Sequence, residues 1–169
     1  IEMTEQIAVS NADFTLDGSG YTISQADDCT NTYALFDSVT GKLTLKNVKF
    51  TGIKGGAVLR TIGAETTLEN VTIEGAETTQ VQGLLRLVGK STIKNCIFKN
   101  NTCSMVITHN YDTGNQNPQV VENCLFEGNT CNGTAVLYYV KGESATINGN
   151  KFIGNNVTVS GGSNAATVY

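Results

Sequence analysis

A nine-residue pattern, Asn-Cys-x-Phe-x-x-Asn-Thr-Cys, occurs twice in this chain, from Asn95 to Cys103 and from Asn123 to Cys131. The two copies are 28 residues apart. Weaker copies flank them at Leu45–Phe50, Leu68–Ile73 and Ile147–Phe152. Aligned on the aromatic or isoleucine position, the register runs Phe50, Ile73, Phe98, Phe126, Phe152, with spacings of 23, 25, 28 and 26 residues. Units this short cannot bury an apolar face alone, so neighbouring units must stack into one continuous core.

The unit reads as strand. Apolar residues alternate at Leu43 and Leu45, then at Val48 and Phe50, and Thr, Val and Ile are plentiful. Between the apolar pairs sits an asparagine, at Asn47, Asn70, Asn95 and Asn123, with Gly149 in the last unit. Both residue types accept turn geometry that β-branched residues refuse. The expected unit is strand, bend, strand, loop, strand, and stacking such units about 4.8 Å apart makes a parallel β-helix. The fold class expected is therefore all-β: a single-stranded parallel β-helix of about six to seven coils of 23–28 residues. One domain spans residues 1–169, with residues 1–13 as a lead-in strand.

Matched positions form sensible columns. Lys46, Glu69, Lys94 and Glu122 alternate in sign, as do Glu74, Lys99 and Glu127. Opposite charges on adjacent strands are each worth roughly 0.2–1 kcal/mol. Val48, Val71, Cys96 and Cys124 make a small apolar inward column that ends in Asn150. Two asparagine columns, Asn47/Asn70/Asn95/Asn123 and Asn101/Asn129/Asn155, can hydrogen-bond along the stack as structural ladders.

A second strand family recurs at residues 33–39, 56–62, 83–88, 104–109 and 135–140. Its expected core column is Phe36, Leu59, Leu85, Val106, Leu137, and its outward column is Asp37, Arg60, Arg86, Ile107, Tyr138. Asp37 over Arg60 reads as a surface ion pair of little weight. His109 aligns with Val39, Ile62, Val88 and Val140 and is expected at a strand end, partly buried, with no catalytic part. It precedes the longest insertion, residues 110–119, which holds the single proline. Binding functions concentrate in loops on rigid scaffolds. Asn110, Tyr111, Asp112, Asn115, Gln116 and Asn117 are accordingly the candidate ligand-binding residues.

Eleven basic residues against 15 acidic ones leave a net charge of −4, with no basic cluster, which disfavours nucleic acid and anionic membrane surfaces as partners. No apolar run is long enough to cross a bilayer as a helix. No signal peptide is visible. The first residue is Ile1 and no capping helix is evident at either end, so the chain reads as a piece of a longer protein with flanking domains. Five cysteines leave an odd thiol. Cys96 and Cys124 are expected to pack inward. Cys103 and Cys131, matched on neighbouring coils, are the candidate disulfide. No catalytic, metal or cofactor motif is found. Paired carboxylates of glycoside hydrolysis would need matched acidic columns, whereas these columns alternate Lys with Glu. Arg60 beside Arg86 is the one arrangement that would suit an anionic sugar. Outward Ile97 over Leu125 marks a second, apolar patch.

Gly55-Gly-Ala-Val58 and the Phe-x-x-Asn runs ending at Asn101, Asn129 and Asn155 resemble the GGA[I/L/V] and FxxN repeats of chlamydial polymorphic membrane proteins. The Asn-x-x-Phe coils and the run from Phe14 to Ile23 are similar to the wider pectin-lyase-like superfamily. The resemblance implies a right-handed β-helix in an extracellular, surface-attached protein. It implies a non-catalytic segment of a bacterial or archaeal adhesin, acting as stalk or ligand-binding module toward a host-cell or matrix glycan or protein. The alternatives it leaves open are a polysaccharide-active enzyme and a self-associating passenger.

Overall fold

The computed structural model describes residues 1–29, 33–109, 117–139, 144–159 and 166–169. Among them are strands, turns and bends but no helix, so none is long and apolar enough to cross a membrane. Among the described residues all strand pairing is parallel and runs between coils rather than within one, which closes a solenoid of four sheets. The sheets hold seven, five, seven and six strands among the described residues.

One coil shows the plan. Ile97–Lys99 lies in the first sheet, Thr102–Cys103 in the second, Ile107–His109 in the third and Gln119–Glu122 in the fourth. Leu125–Glu127 then begins the next coil directly over the first strand, pairing Ile97 with Leu125, Phe98 with Phe126 and Lys99 with Glu127. The lead-in is itself a coil: Glu2–Met3, Ile7–Ala8 and Ala12–Asp17 pair with the strands of the next turn.

The corner between the fourth and first sheets is the asparagine bend. Asn47, Asn70, Asn95 and Asn123 have φ of 51°, 53°, 56° and 54°, and Gly149 has φ 66°. This left-handed region penalises most side chains, and asparagine and glycine enter it most readily. Asn95→Val should therefore lower stability by about 1–2 kcal/mol, while Asn95→Gly should change it by less than about 1 kcal/mol. Urea midpoints of the two variants check this, and equal losses would show that the side chain, not the backbone angle, sets the requirement.

A second left-handed corner follows the first-sheet strand, at Gly52, Gly75, Asn100, Gly128 and Gly154. It turns the chain into the short second sheet, which the repeat pattern did not suggest.

The core is a set of columns. Phe50, Ile73, Phe98 and Phe126 are fully buried. The Phe126 ring stacks between Phe98, at 4.9 Å and 16°, and Phe152, at 4.7 Å and 7°. Val48, Val71, Cys96 and Cys124 face inward as expected. Asn150 ends that column with its amide satisfied, donating to Val121 O at 2.8 Å and accepting from Cys124 N at 2.8 Å.

The third-sheet register differs from the expectation by one residue in one coil. Leu85 pairs with Ile107, which pairs with Leu137, so Ile107 and not Val106 stands in the core column. The outward column becomes Asp37, Arg60, Arg86, Thr108, Tyr138. His109 stands between Leu87 and Tyr139 and faces inward. A one-residue slip moves every side chain of a strand to the other face.

Candidate functional site

The outward charges of the regular columns are joined between coils. Ion pairs link Lys46 to Asp17 at 3.2 Å, Lys49 to Glu74 at 2.7 Å, Lys90 to Glu65 at 3.1 Å, Lys94 to Glu122 at 2.9 Å and Lys99 to Glu127 at 3.1 Å. All reach solvent, the carboxylate of Glu122 least, so each contributes little to stability. Each ties one coil to another on the outer surface. Lys49 holds the Glu74 carboxyl below its usual range.

The asparagine bends edge two open depressions. One, about 520 Å³, runs past Asp17, Ser19, Asn47, Lys49, Asn70 and Thr72. The other, about 410 Å³, runs past Asn95, Ile97, Asn123, Leu125, Gly149 and Lys151. In the first the amides are tied down: Asn70 Nδ2 donates to Asn47 Oδ1 at 3.1 Å, and Asn47 Nδ2 to Asp17 Oδ1 at 3.2 Å. The Ser19 N–H, then the Asn47 amide and Lys46, hold the Asp17 carboxyl below its usual range. In the second the exposed Asn95 and Asn123 amides flank Ile97, which is 37% exposed, and half-buried Leu125.

The other asparagine column lies inside. Asn101 and Asn129 are fully buried. Asn101 Nδ2 donates to Asn129 Oδ1 at 2.9 Å, and Asn129 Nδ2 to Asn155 Oδ1 at 2.8 Å. Each amide also serves the backbone: Asn129 Nδ2 donates to Phe98 O at 2.9 Å, and Asn101 N donates to Asn129 Oδ1 at 3.1 Å. These asparagines satisfy the peptide groups that the second corner leaves unpaired.

On the outward face of the third sheet, Arg60 grips Asp37 with two hydrogen bonds, Nη2 to Oδ2 at 2.9 Å and Nε to Oδ1. Asp37 is only 6% exposed, so this pair is deeper than the surface contact expected of it. Tyr33 covers the Arg60 guanidinium, whose carbon lies 4.6 Å from the ring centre. Arg86 is the strand partner of Arg60, and a crevice beside them is edged by Gln80 and Gln82.

His109 ends its strand as expected but lies deeper than the partial burial expected of it. It is buried, and its Nδ1 meets Gln119 Oε1 and Ser91 Oγ, the latter at 3.2 Å. Ser91 also donates to Gln119 Oε1, while Gln119 Nε2 donates to Gly89 O at 2.6 Å. Among the described residues His109 Nε2 has no hydrogen-bond partner, and burial pushes its pKa down to about 4. The sign available in the sequence was the polar Ser91/Gln119 column opposite it.

The expected Cys103–Cys131 bridge is absent: the residues are strand partners with free, buried thiols. Parallel in-register strands hold matched side chains about 4.8 Å apart, wider than the roughly 3.5–4.5 Å between Cβ atoms that a disulfide takes. The hydrogen bond to Cys131, and then burial, push the Cys103 thiol well above its usual range. Cys96 is raised in the same way by Cys124.

Of the candidate loop residues, Asn110, Tyr111, Asp112, Asn115 and Gln116 lie outside the described residues. Asn117 is half-buried, and its carbonyl accepts from Gln119 Nε2 at 3.2 Å. Among the described residues no group of three or more His, Cys, Asp or Glu side chains is placed to hold a metal ion.

A parallel solenoid with left-handed corners and internal side-chain columns defines a class, the β-helix proteins. The chain belongs to the right-handed β-helix family: the family model for a right handed beta helix region matches residues 7–169. No curated protein matches the chain.

Proposed function

We propose that this chain is a non-catalytic β-helix segment of a bacterial or archaeal cell-surface adhesin, serving as a rod that carries a ligand-binding face. The observation that supports this reading is the pairing of outward charges. Lys46, Lys49, Lys90, Lys94 and Lys99 each meet a carboxylate of another coil. These groups tie coil to coil along a rod instead of converging on a reacting centre. The FxxN-type coils, which resemble those of polymorphic membrane proteins, fit the same extracellular role. The partner is a host-cell or matrix glycan or protein, and loop 110–119 is a second candidate contact. Flanking domains of the same chain supply attachment.

A polysaccharide-active role is the competing reading, favoured by Arg60 stacked on Arg86 beside Asp37. One experiment separates the two. The protein is incubated with acidic and neutral polysaccharides, with and without calcium, and both retention and released oligosaccharide are read. Retention without product is expected. Released product that disappears in Arg60→Ala or Arg86→Ala would overturn the adhesin reading.

A further inference from the structure

Four Asn-x-Thr runs occur in the chain, starting at Asn70, Asn100, Asn132 and Asn156. This is the acceptor pattern for an N-linked oligosaccharide on the surface of exported proteins. We propose that Asn132 is a modification site of this kind, taking its oligosaccharide from a lipid-pyrophosphate carrier. The proposal rests on the reading of this chain as a cell-surface segment and adds a covalent modification to it.

The fold sorts the four asparagines. Asn70 spends its amide on Asn47 Oδ1, at 3.1 Å. Asn100 sits in the left-handed second corner at φ 53°, with its Oδ1 packed over Gly128, 2.5 Å from where a Cβ would stand. Asn156 stands within a strand, paired with Thr130. Asn132 lies just past a strand, in the bend between Thr130–Cys131 and Ala135–Tyr139, and is exposed.

Coil geometry accounts for the middle residue of the Asn132-Gly133-Thr134 run but not for its ends. The backbone is held to the coil below: Asn132 N donates to Cys103 O at 3.0 Å and Gly133 N to Ser104 O at 2.8 Å. A Cβ at Gly133 would meet Ser104 O at 2.5 Å, so this close approach requires glycine. One residue past the second-sheet strands, the matched column reads Thr79, Ser104, Asn132, Thr158. Its hydroxyls all bind the coil beside them. Thr79 Oγ1 donates to Gly55 O at 3.1 Å, Ser104 Oγ to Gln80 O at 2.7 Å and Thr158 Oγ1 to Cys131 O at 3.5 Å. Among the described residues neither the Asn132 amide nor the Thr134 hydroxyl makes such a bond. The amide that a transferase must reach is the one the stack does not use.

Room for the attached sugar is present as well. An open depression of about 520 Å³ is edged by Val81, Ser104, Asn132, Gly133, Thr158 and Val159. Val81 is 75% exposed and offers its methyl groups to the C–H face of a first sugar residue. In the transfer, Asn132 Nδ2 forms a bond to the anomeric carbon of that sugar. The bond from this carbon to the pyrophosphate oxygen breaks, the lipid pyrophosphate leaves with the electron pair, and Nδ2 gives up one proton. The Thr134 hydroxyl completes the acceptor pattern.

The test is peptide mass spectrometry of the protein recovered from its own cells, with surface and interior fractions digested separately. Wild type is compared with Asn132→Gln, Thr134→Ala and Thr134→Ser. In the surface fraction the wild-type peptide carrying residue 132 should bear the mass of an oligosaccharide on that asparagine, and the Asn70 peptide should be bare. Asn132→Gln and Thr134→Ala should lose the added mass, and Thr134→Ser, which keeps the hydroxyl, should retain it. Circular dichroism confirms that the variants are folded. A surface chain bare at Asn132, or one modified at Asn70 in its place, would overturn the acceptor while leaving the adhesin reading intact. A chain confined to the interior fraction would refute the adhesin reading, and the acceptor with it.

Discussion

Asn129→Ala should destabilise the protein by several kcal/mol, more than the loss of any exposed asparagine. The Asn129 amide bridges two coils and is fully buried. Truncation leaves the Asn101 N–H and the Phe98 carbonyl without this partner, and removes one contact each from the Asn101 and Asn155 amides. Each buried group orphaned in this way costs about 1–3 kcal/mol, so the two backbone groups alone account for about 2–6 kcal/mol. The alanine also leaves a void between stacked coils, which adds to the loss. Urea denaturation of the variant beside Asn156→Ala, an exposed neighbour, checks the figure. Amide exchange at Asn101 should accelerate as well. A loss below about 1 kcal/mol, within the range of an ordinary net hydrogen bond, would mean that water replaces the side chain and that the column is not needed for coil closure.

Acid should destabilise the fold through His109. Burial lowers its pKa from 6.5 to about 4. Folding therefore favours the neutral ring, and the unfolded chain binds the proton first. Stability is full above pH 6.5, falls as the pH drops from 6.5 toward 4, and levels off below, where the folded state also protonates. A shift of this size corresponds to about 3 kcal/mol, at about 1.4 kcal/mol per pH unit. The groups facing His109 among the described residues are Ser91, Gln119, Leu87 and Tyr139, and none is a carboxylate that would hold the imidazolium. Asp17 and Glu74 also lose stabilisation in acid, because their pKa values are lowered. The measurement is therefore a difference: denaturation of wild type and His109→Gln at several pH values between 7 and 4. The gap between the two should change with pH by the histidine contribution. Parallel curves would show that the ring is hydrated in the folded state.

Both predictions lie on residues whose part was unevenly legible. The outer asparagine column announced itself, since only Asn or Gly recurs at one position of every unit and only left-handed backbone explains that choice. The same logic applied to Gly52, Gly75, Asn100, Gly128 and Gly154 would have revealed the second corner, and with it the short second sheet. The depth of His109 was misread because its strand was aligned one residue out. The run leading into that strand carries apolar residues at Met105, Val106 and Ile107 in succession, so alternation could not choose a register. The second depression was half visible: Ile97 over Leu125 stood out as an outward apolar pair, but its place beside the asparagine bends did not.

The repeat period, the alternation within each unit and the bend asparagines were sufficient to determine a parallel β-helix, because short units of strand have no other way to bury their apolar faces. Register in the third sheet, the depth of the Asp37–Arg60 pair, the unbridged thiols and the surface depressions were decided by tertiary structure alone. Each depends on which residue of one coil lies over which residue of the next. That is a long-range choice of hydrogen-bond partner, and no local pattern within a single unit encodes it.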